Sequence, residues 1–113
     1  METKYNFSKS NEKLIEKIID NDEVMINHMV LNKGDSIPEH NSNSNVYIII
    51  VNGMLTLQLA GNPAKGYEQG DIVNIPFGVK MNITNGNDSQ AEFFVIKAPS
   101  PRAYPLNQKT VKM

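Results

Sequence analysis

The sequence contains few of the residues that most often act as catalytic groups or metal ligands. It contains two histidines, His28 and His40, and no cysteine, so thiolate nucleophiles, disulfides and cysteine-type zinc sites are excluded. An imidazole titrates near neutral pH, so His40 is a candidate catalytic acid or base, or an anchor for a ligand. The competing interpretation is a histidine without function, held by Ser42 or by a backbone group. Ser42 itself shows no spacing typical of a Ser-His-Asp triad and is interpreted as a turn hydroxyl.

Length and charge restrict the class of protein. The 113 residues are the size of one domain, and a hydrophobic fraction of 40% is enough to form a core. The 11 basic and 12 acidic residues give a net charge of -1, which argues against a nucleic-acid-binding surface. No apolar run is long enough to span a bilayer, and the first residues lack the pattern of a signal peptide. We therefore expect a cytoplasmic protein that binds neither nucleic acid nor membrane.

Short β-rich runs separated by turn residues dominate the chain. The clearest is 46–51, followed by Asn52-Gly53 and the alternating run 54–59, which together predict two strands joined by a tight hairpin turn. The first run is apolar on both faces, which predicts that a second layer or a partner subunit covers its outer face. Further strands are predicted at 24–31, 72–75, 81–84 and 91–97. Since no helices alternate with these strands, the pattern indicates an all-β sandwich or barrel.

The two ends of the chain are less regular. Within the N-terminal extension, residues 1–23, the apolar residues Leu14, Ile15, Ile18 and Ile19 repeat with helical spacing. The same residues could instead form a strand that is hairpinned onto 24–31 through Asp20-Asn21-Asp22, and this alternative is favoured. At the other end, the polar residues 108–113 are predicted to be a frayed tail.

Two segments resemble the two motifs of the cupin superfamily. Residues 34–53 and 70–85 keep the family's spacing at seven positions, which are Gly34, His40, Gly53, Gly70, Pro76, Gly78 and Asn85. The resemblance covers the middle of the chain, and the flanking strands suit it. It implies that residues 1–113 form a single-domain, all-β, cupin-type jelly-roll barrel, with sharp corners at the glycines and at Pro76.

The resemblance also bears on metal binding. In most metal-binding cupins, two histidines and a glutamate of the first motif and a histidine of the second hold one divalent ion. His40 keeps one of these positions, whereas Ser42, Val46 and Met81 occupy the other three. Stable binding of such an ion normally needs three or more nitrogen or oxygen ligands, so we expect neither a metal nor another cofactor. His28 is expected to face outward, at a sheet-packing or subunit interface.

A pocket inside the barrel is the other implication of the resemblance. The residues expected to line it are Asn27, Met29, His40, Ser42, Val46, Ile48, Met81 and Ile83. The favoured function is binding of a small, partly apolar molecule of unknown identity. One alternative is a metal-independent isomerase, epimerase or cyclase that uses His40 as acid and base. The others are a metal-dependent dioxygenase with unusual ligands and a structural or regulatory protein with a filled barrel.

Apolar residues on outer strand faces predict a partner subunit. A lone barrel of this size would expose part of Val24, Val30, Ile49 and Val51 to solvent. We therefore expect a two-fold homodimer that pairs through a sheet face or an exchanged N-terminal strand.

Overall fold

Nine β-strands and no helix make up the part of the chain described by the computed structural model, residues 1–103. In chain order the strands are β1 (Leu14–Asp20), β2 (Met25–Leu31), β3 (Ser36–Asn41), β4 (Val46–Asn52), β5 (Met54–Leu59), β6 (Lys65–Glu68), β7 (Ile72–Ile75), β8 (Lys80–Thr84) and β9 (Ala91–Lys97). Within these residues no helix could cross a membrane. The predicted frayed tail, 108–113, lies outside the described residues.

Two antiparallel sheets pack face to face and confirm the predicted all-β jelly-roll barrel. One sheet has the strand order β1-β2-β9-β4-β7, and the other has the order β3-β8-β5-β6. From β3 onward the chain crosses repeatedly between the sheets. Alternate side chains from the two inner faces form one core, which consists of Met29, Leu31, Val46, Ile48, Ile50, Leu55, Leu57, Ile75, Met81, Ile83, Ala91, Phe93 and Val95.

The predicted strands agree with the observed ones to within one residue at each end. β3 and β6 are additional strands, and both lie at the edges of the four-stranded sheet. Each contains a residue that is depleted in strands, Pro38 in β3 and Gly66 in β6. An edge tolerates Pro38 because the missing N–H can face away from the neighbouring strand.

The predicted hairpin at Asn52-Gly53 is wrong. β4 pairs with β7 and β9, whereas β5 pairs with β6 and β8 in the other sheet. Gly53, with a φ angle of +73°, turns the chain from one sheet to the other. The backbone passes so close to Gln90 here that a Cβ on Gly53 would lie 2.2 Å from its carbonyl oxygen. The Asn-Gly pair marks a crossover because both strands have their partners elsewhere in the chain.

The N-terminal ambiguity is resolved in favour of a strand, and the helical alternative is wrong. β1 pairs with β2 in an antiparallel hairpin. Asn21 closes its turn, because the side-chain oxygen accepts the N–H groups of Glu23 at 2.9 Å and Val24 at 3.0 Å. The pairing register shifts between Lys17 and Ile19, and this irregularity explains why the apolar residues of β1 do not alternate strictly.

The N-terminal segment covers half of the outer face of the five-stranded sheet. Phe7 packs against the rings of His28 and Phe94, with centroid distances of 4.7 and 4.9 Å. His28 and Val30 are consequently buried within their own chain, so the expected exposure of Val30 is wrong. On the other half, over β4 and β7, the exposed apolar side chains are Tyr47, Val51 and Ile72.

Asn85, the last residue of the second cupin-like motif, is hydrogen-bonded to the start of the first motif. Its buried side-chain amide donates to the carbonyl oxygens of Leu31 and Ser89, both at 2.9 Å. Its own carbonyl accepts the N–H of Gly34 at 2.7 Å, and its N–H donates to the carbonyl of Asp35 at 3.0 Å. This asparagine therefore fastens the β2–β3 turn to the end of β8.

Candidate functional site

A cavity of about 60 Å³ lies between the two sheets, well below the ~300 Å³ at the lower end of common ligand pockets. Its walls come from β2, β3, β4, β8, β9 and the loop after β3. The lining residues are Met29, Ile37, His40, Ser42, Asn43, Val46, Met81, Ile83, Val95 and Lys97. Six of these are apolar, so the cavity suits a small molecule of a few carbon atoms.

Six of the eight residues predicted for the pocket line this cavity. They are Met29, His40, Ser42, Val46, Met81 and Ile83. The other two, Asn27 and Ile48, are buried but are not lining residues. Ile48 belongs to the core. Asn27 pairs across the sheet with Val95, and its buried Oδ1 has no hydrogen-bond partner within residues 1–103. The polar lining residues are therefore His40, Ser42, Asn43 and Lys97, and Asn27 is not one of them.

His40 lies at the exposed mouth of the cavity rather than inside the barrel. The register of β3 and β8 places it directly across from Met81. Its Nδ1 lies 2.9 Å from the carbonyl oxygen of Pro38, which can only accept a hydrogen bond. In the neutral ring the proton is therefore on Nδ1. The other nitrogen, Nε2, is then an acceptor that can take a proton or a hydrogen bond from a ligand.

The carboxylate next to His40 in sequence is engaged elsewhere. Glu39 accepts a hydrogen bond from Asn82 Nδ2 at 2.9 Å and lies 3.6 Å from Lys80 Nζ. The amide of Asn82 and then the charge of Lys80 lower the pKa of Glu39. Glu39 thus does not provide the carboxylate partner that commonly orients a catalytic histidine.

Ser42 holds two loops together. The residue is only 3% exposed, and its Oγ donates to the carbonyl oxygen of Pro76 and accepts the N–H of Val79 at 2.9 Å. Its backbone N–H donates to the Val79 carbonyl, and its carbonyl accepts the N–H of Gly78, both at 2.9 Å. These bonds fasten the β3–β4 loop to the turn after β7, so the hydroxyl has a structural role and is not placed as a nucleophile.

The sequence analysis missed four lining residues, Ile37, Asn43, Val95 and Lys97, and the charged one among them is Lys97. It is the last residue of β9, where it pairs with Met25 of β2 and Val46 of β4. Burial lowers the pKa of the Lys97 amine, and the positive charge of Lys17 lowers it further. Strand alternation carried a signal for it, because Lys97 is two residues after the core residue Val95 and so shares its inward face.

The donor atoms at the family's metal-ligand positions do not fit a hard divalent ion. His40 offers one imidazole nitrogen, the Ser42 hydroxyl is engaged by the backbone, Val46 offers no donor, and Met81 offers a thioether. Within residues 1–103, no group of three or more His, Cys, Asp or Glu side chains could hold a metal ion. These residues therefore do not form the metal site that is usual in the family.

His28 is the centre of a separate cluster on the outer sheet face. Its Nδ1 lies 2.7 Å from Glu16 Oε2, and its Nε2 lies 2.7 Å from Glu92 Oε2. A neutral imidazole donates from one nitrogen only, so this contact with two carboxylates requires one additional proton within the cluster. Glu16 also accepts the N–H of Ser8 at 2.9 Å, and the bonds from Ser8 and then His28 lower its pKa. The cluster anchors the N-terminal segment.

A larger cleft of about 320 Å³ lies beside this cluster. It is lined by Phe7, Lys9, Ser10, Asn11, Val30, Gln90 and Glu92. One side consists of residues of the exposed N-terminal segment, so the cleft is a surface groove, whereas the cavity at His40 lies between the sheets.

Comparison with known proteins gives the family. The chain is 41% identical to an uncharacterized protein of Methanocaldococcus jannaschii over an alignment of 113 positions, which covers 99% of this chain and 97% of the relative. The crystal structure of that archaeal protein is described as an RmlC-like cupin family protein with a double-stranded β-helix fold. It matches with a TM-score of 0.89 at 42% identity, over 93% of this chain and 97% of that one. The chain belongs to the cupin family.

Other solved structures resemble this cupin in fold alone. A protein of Klebsiella pneumoniae with a double-stranded β-helix domain is 14% identical, with a TM-score of 0.72 over 85% of this cupin and 84% of that chain. A cupin superfamily protein of Desulfitobacterium hafniense is 15% identical, with a TM-score of 0.70 over 82% and 83%. No protein-family model matches the chain. The family relationship therefore rests on the archaeal protein and on the seven motif positions.

Proposed function

We propose that this cupin binds a small, partly apolar molecule in the cavity beside His40. The observation that carries the proposal is the cavity itself, with six apolar and four polar lining residues between the sheets. Small-molecule sites commonly combine an apolar wall with a few placed polar groups. The volume of about 60 Å³ restricts the ligand to a few carbon atoms.

Two features favour binding over catalysis. Glu39 is engaged by Asn82 and Lys80 rather than by His40, and the Ser42 hydroxyl is engaged by backbone groups. An acid–base enzyme would still use His40 Nε2, and Lys97 is the other titratable side chain of the lining that could transfer a proton. The cavity also argues against the alternative of a filled barrel without a ligand.

Saturation-transfer NMR with isobutyramide, a small branched neutral amide, tests the proposal. We expect transfer from the wild-type protein to the probe methyl groups. The substitution Val46→Phe should abolish it, because a phenyl ring at that wall fills the cavity. The matched control is Val73→Phe, which adds the same volume on β7, where the residue packs against the core without lining the cavity.

Thermal unfolding of both variants tests whether each still folds. Ile37→Phe fills the cavity from the opposite sheet and serves as a second blocking variant. The proposal is wrong if the wild-type protein gives no transfer, or if Val46→Phe and Ile37→Phe transfer as strongly as Val73→Phe.

We also infer that two copies of this cupin pair through the exposed half of the five-stranded sheet. Ile72 and Ile49 form an apolar row across β7 and β4, and Ile72 is 65% exposed. A second copy would remove this row from water. We expect light scattering to give twice the chain mass, and Ile72→Lys to shift the protein toward monomer. A single-chain mass for the wild type would contradict the inference.

A further inference from the structure

The cavity lining includes a lysine, and within residues 1–103 it includes no acidic residue. Its ten lining residues include Lys97 and His40 but neither an aspartate nor a glutamate. Elsewhere in the fold, the amines of Lys17, Lys33 and Lys80 are each paired with a carboxylate. Among the ion pairs of residues 1–103, none involves Lys97. The described part of the chain thus gives this cation no carboxylate partner.

Two physical effects make the charge of Lys97 costly in the protein alone. Lys97 is half-buried, and the partial loss of hydration of its charged amine lowers its pKa. Lys17 adds a like charge, since it pairs with Asn27 on β2 and Asn27 pairs with Val95 on β9, two residues from Lys97. A negative charge beside Lys97 would offset both effects, and charge-assisted hydrogen bonds to an amine are among the stronger ones.

We propose that the ligand of this cavity is a short-chain apolar carboxylate whose acid group pairs with the Lys97 amine. The alkyl part would contact Met29, Val46 and Met81, which form the apolar wall. The acid group would lie near Lys97, the lysine of the lining. This inference rests on the proposed function and names the ligand class for the same site.

Two probes of nearly the same shape separate charge from fit. Isobutyrate and isobutyramide differ in that a charged oxygen replaces an NH2 group. We expect the wild-type protein at pH 7 to bind isobutyrate roughly tenfold more tightly than isobutyramide, because the carboxylate gains one charge-assisted hydrogen bond. NMR titration measures both affinities. Lys97→Met should remove this preference while isobutyramide still binds.

The control variant is Lys65→Met, which removes the same charge from an exposed residue of β6, an edge strand of the other sheet. It should keep the tenfold preference. Lys97→Gln repeats the test with a polar side chain in case Lys97→Met does not fold. The inference is wrong if the wild type binds both probes equally, in which case the proposed function stands, or if the preference survives in both Lys97 variants. If neither probe binds the wild type, the inference and the proposed function both fail.

Discussion

Replacing Gly53 by alanine is expected to destabilise this cupin by about 4 kcal/mol, a large part of the stability of a typical small domain. A side chain at its φ of +73° costs about 1–2 kcal/mol. The added Cβ would also lie 2.2 Å from the Gln90 carbonyl oxygen, and relieving that overlap requires the backbone at Gly53 or at Gln90 to move. Urea unfolding followed by circular dichroism measures the loss.

Gly34→Ala is the matched control for this prediction. Gly34 has a similar φ of +85°, but a Cβ built there meets no atom within 4 Å. We expect this variant to lose only the conformational cost, about 1–2 kcal/mol. Equal losses from the two variants would show that the close approach to Gln90 is relieved at little cost, against our account of the crossover between the sheets.

His28→Ala is expected to destabilise the protein by about 3 kcal/mol, although His28 does not line the proposed binding cavity. The substitution removes a fully buried ring that is packed between Phe7 and Phe94. It also leaves the carboxylates of Glu16 and Glu92 without their shared partner. Chemical unfolding at pH 7 measures the effect, and faster proteolysis of the N-terminal segment is expected because Glu16 also binds Ser8.

Two further variants separate the contributions at this cluster. His40→Ala removes the other histidine, which is exposed, and should change stability by less than about 0.5 kcal/mol. His28→Phe keeps a ring between the two phenylalanines but cannot bond either carboxylate. We expect it to be less stable than the wild type, whereas wild-type stability would mean that the two carboxylate contacts contribute nothing.

The fold was largely predictable from local pattern. Alternation and turn residues located six strands to within a residue, and the spacing of glycines, Pro76 and Asn85 indicated the family. The pairing of the strands was harder to predict from the sequence. Asn52-Gly53 is as suitable for a crossover as for a hairpin, and only the distant partners of β4 and β5 distinguish the two.

Part of the cavity lining was predictable because motif positions and strand faces are local properties. Those arguments placed Met29, Val46, Met81 and Ile83 in the lining of a pocket, and all four line the cavity. Lys97 was missed since it carries no motif and stands at the end of an apolar strand. The Glu16–His28–Glu92 cluster depends on registers between β1, β2 and β9, which no local pattern specifies.

The central claim is that the cavity beside His40 takes up a small molecule, and methionine-methyl NMR tests it most directly. Among the six methionines, Met29 and Met81 line the cavity, whereas Met54 is exposed and serves as an internal control. With signals assigned by Met29→Leu and Met81→Leu, isobutyramide should shift the Met29 and Met81 resonances saturably and leave Met54 unmoved. Unchanged signals, or equal shifts at all three methionines, would contradict the account.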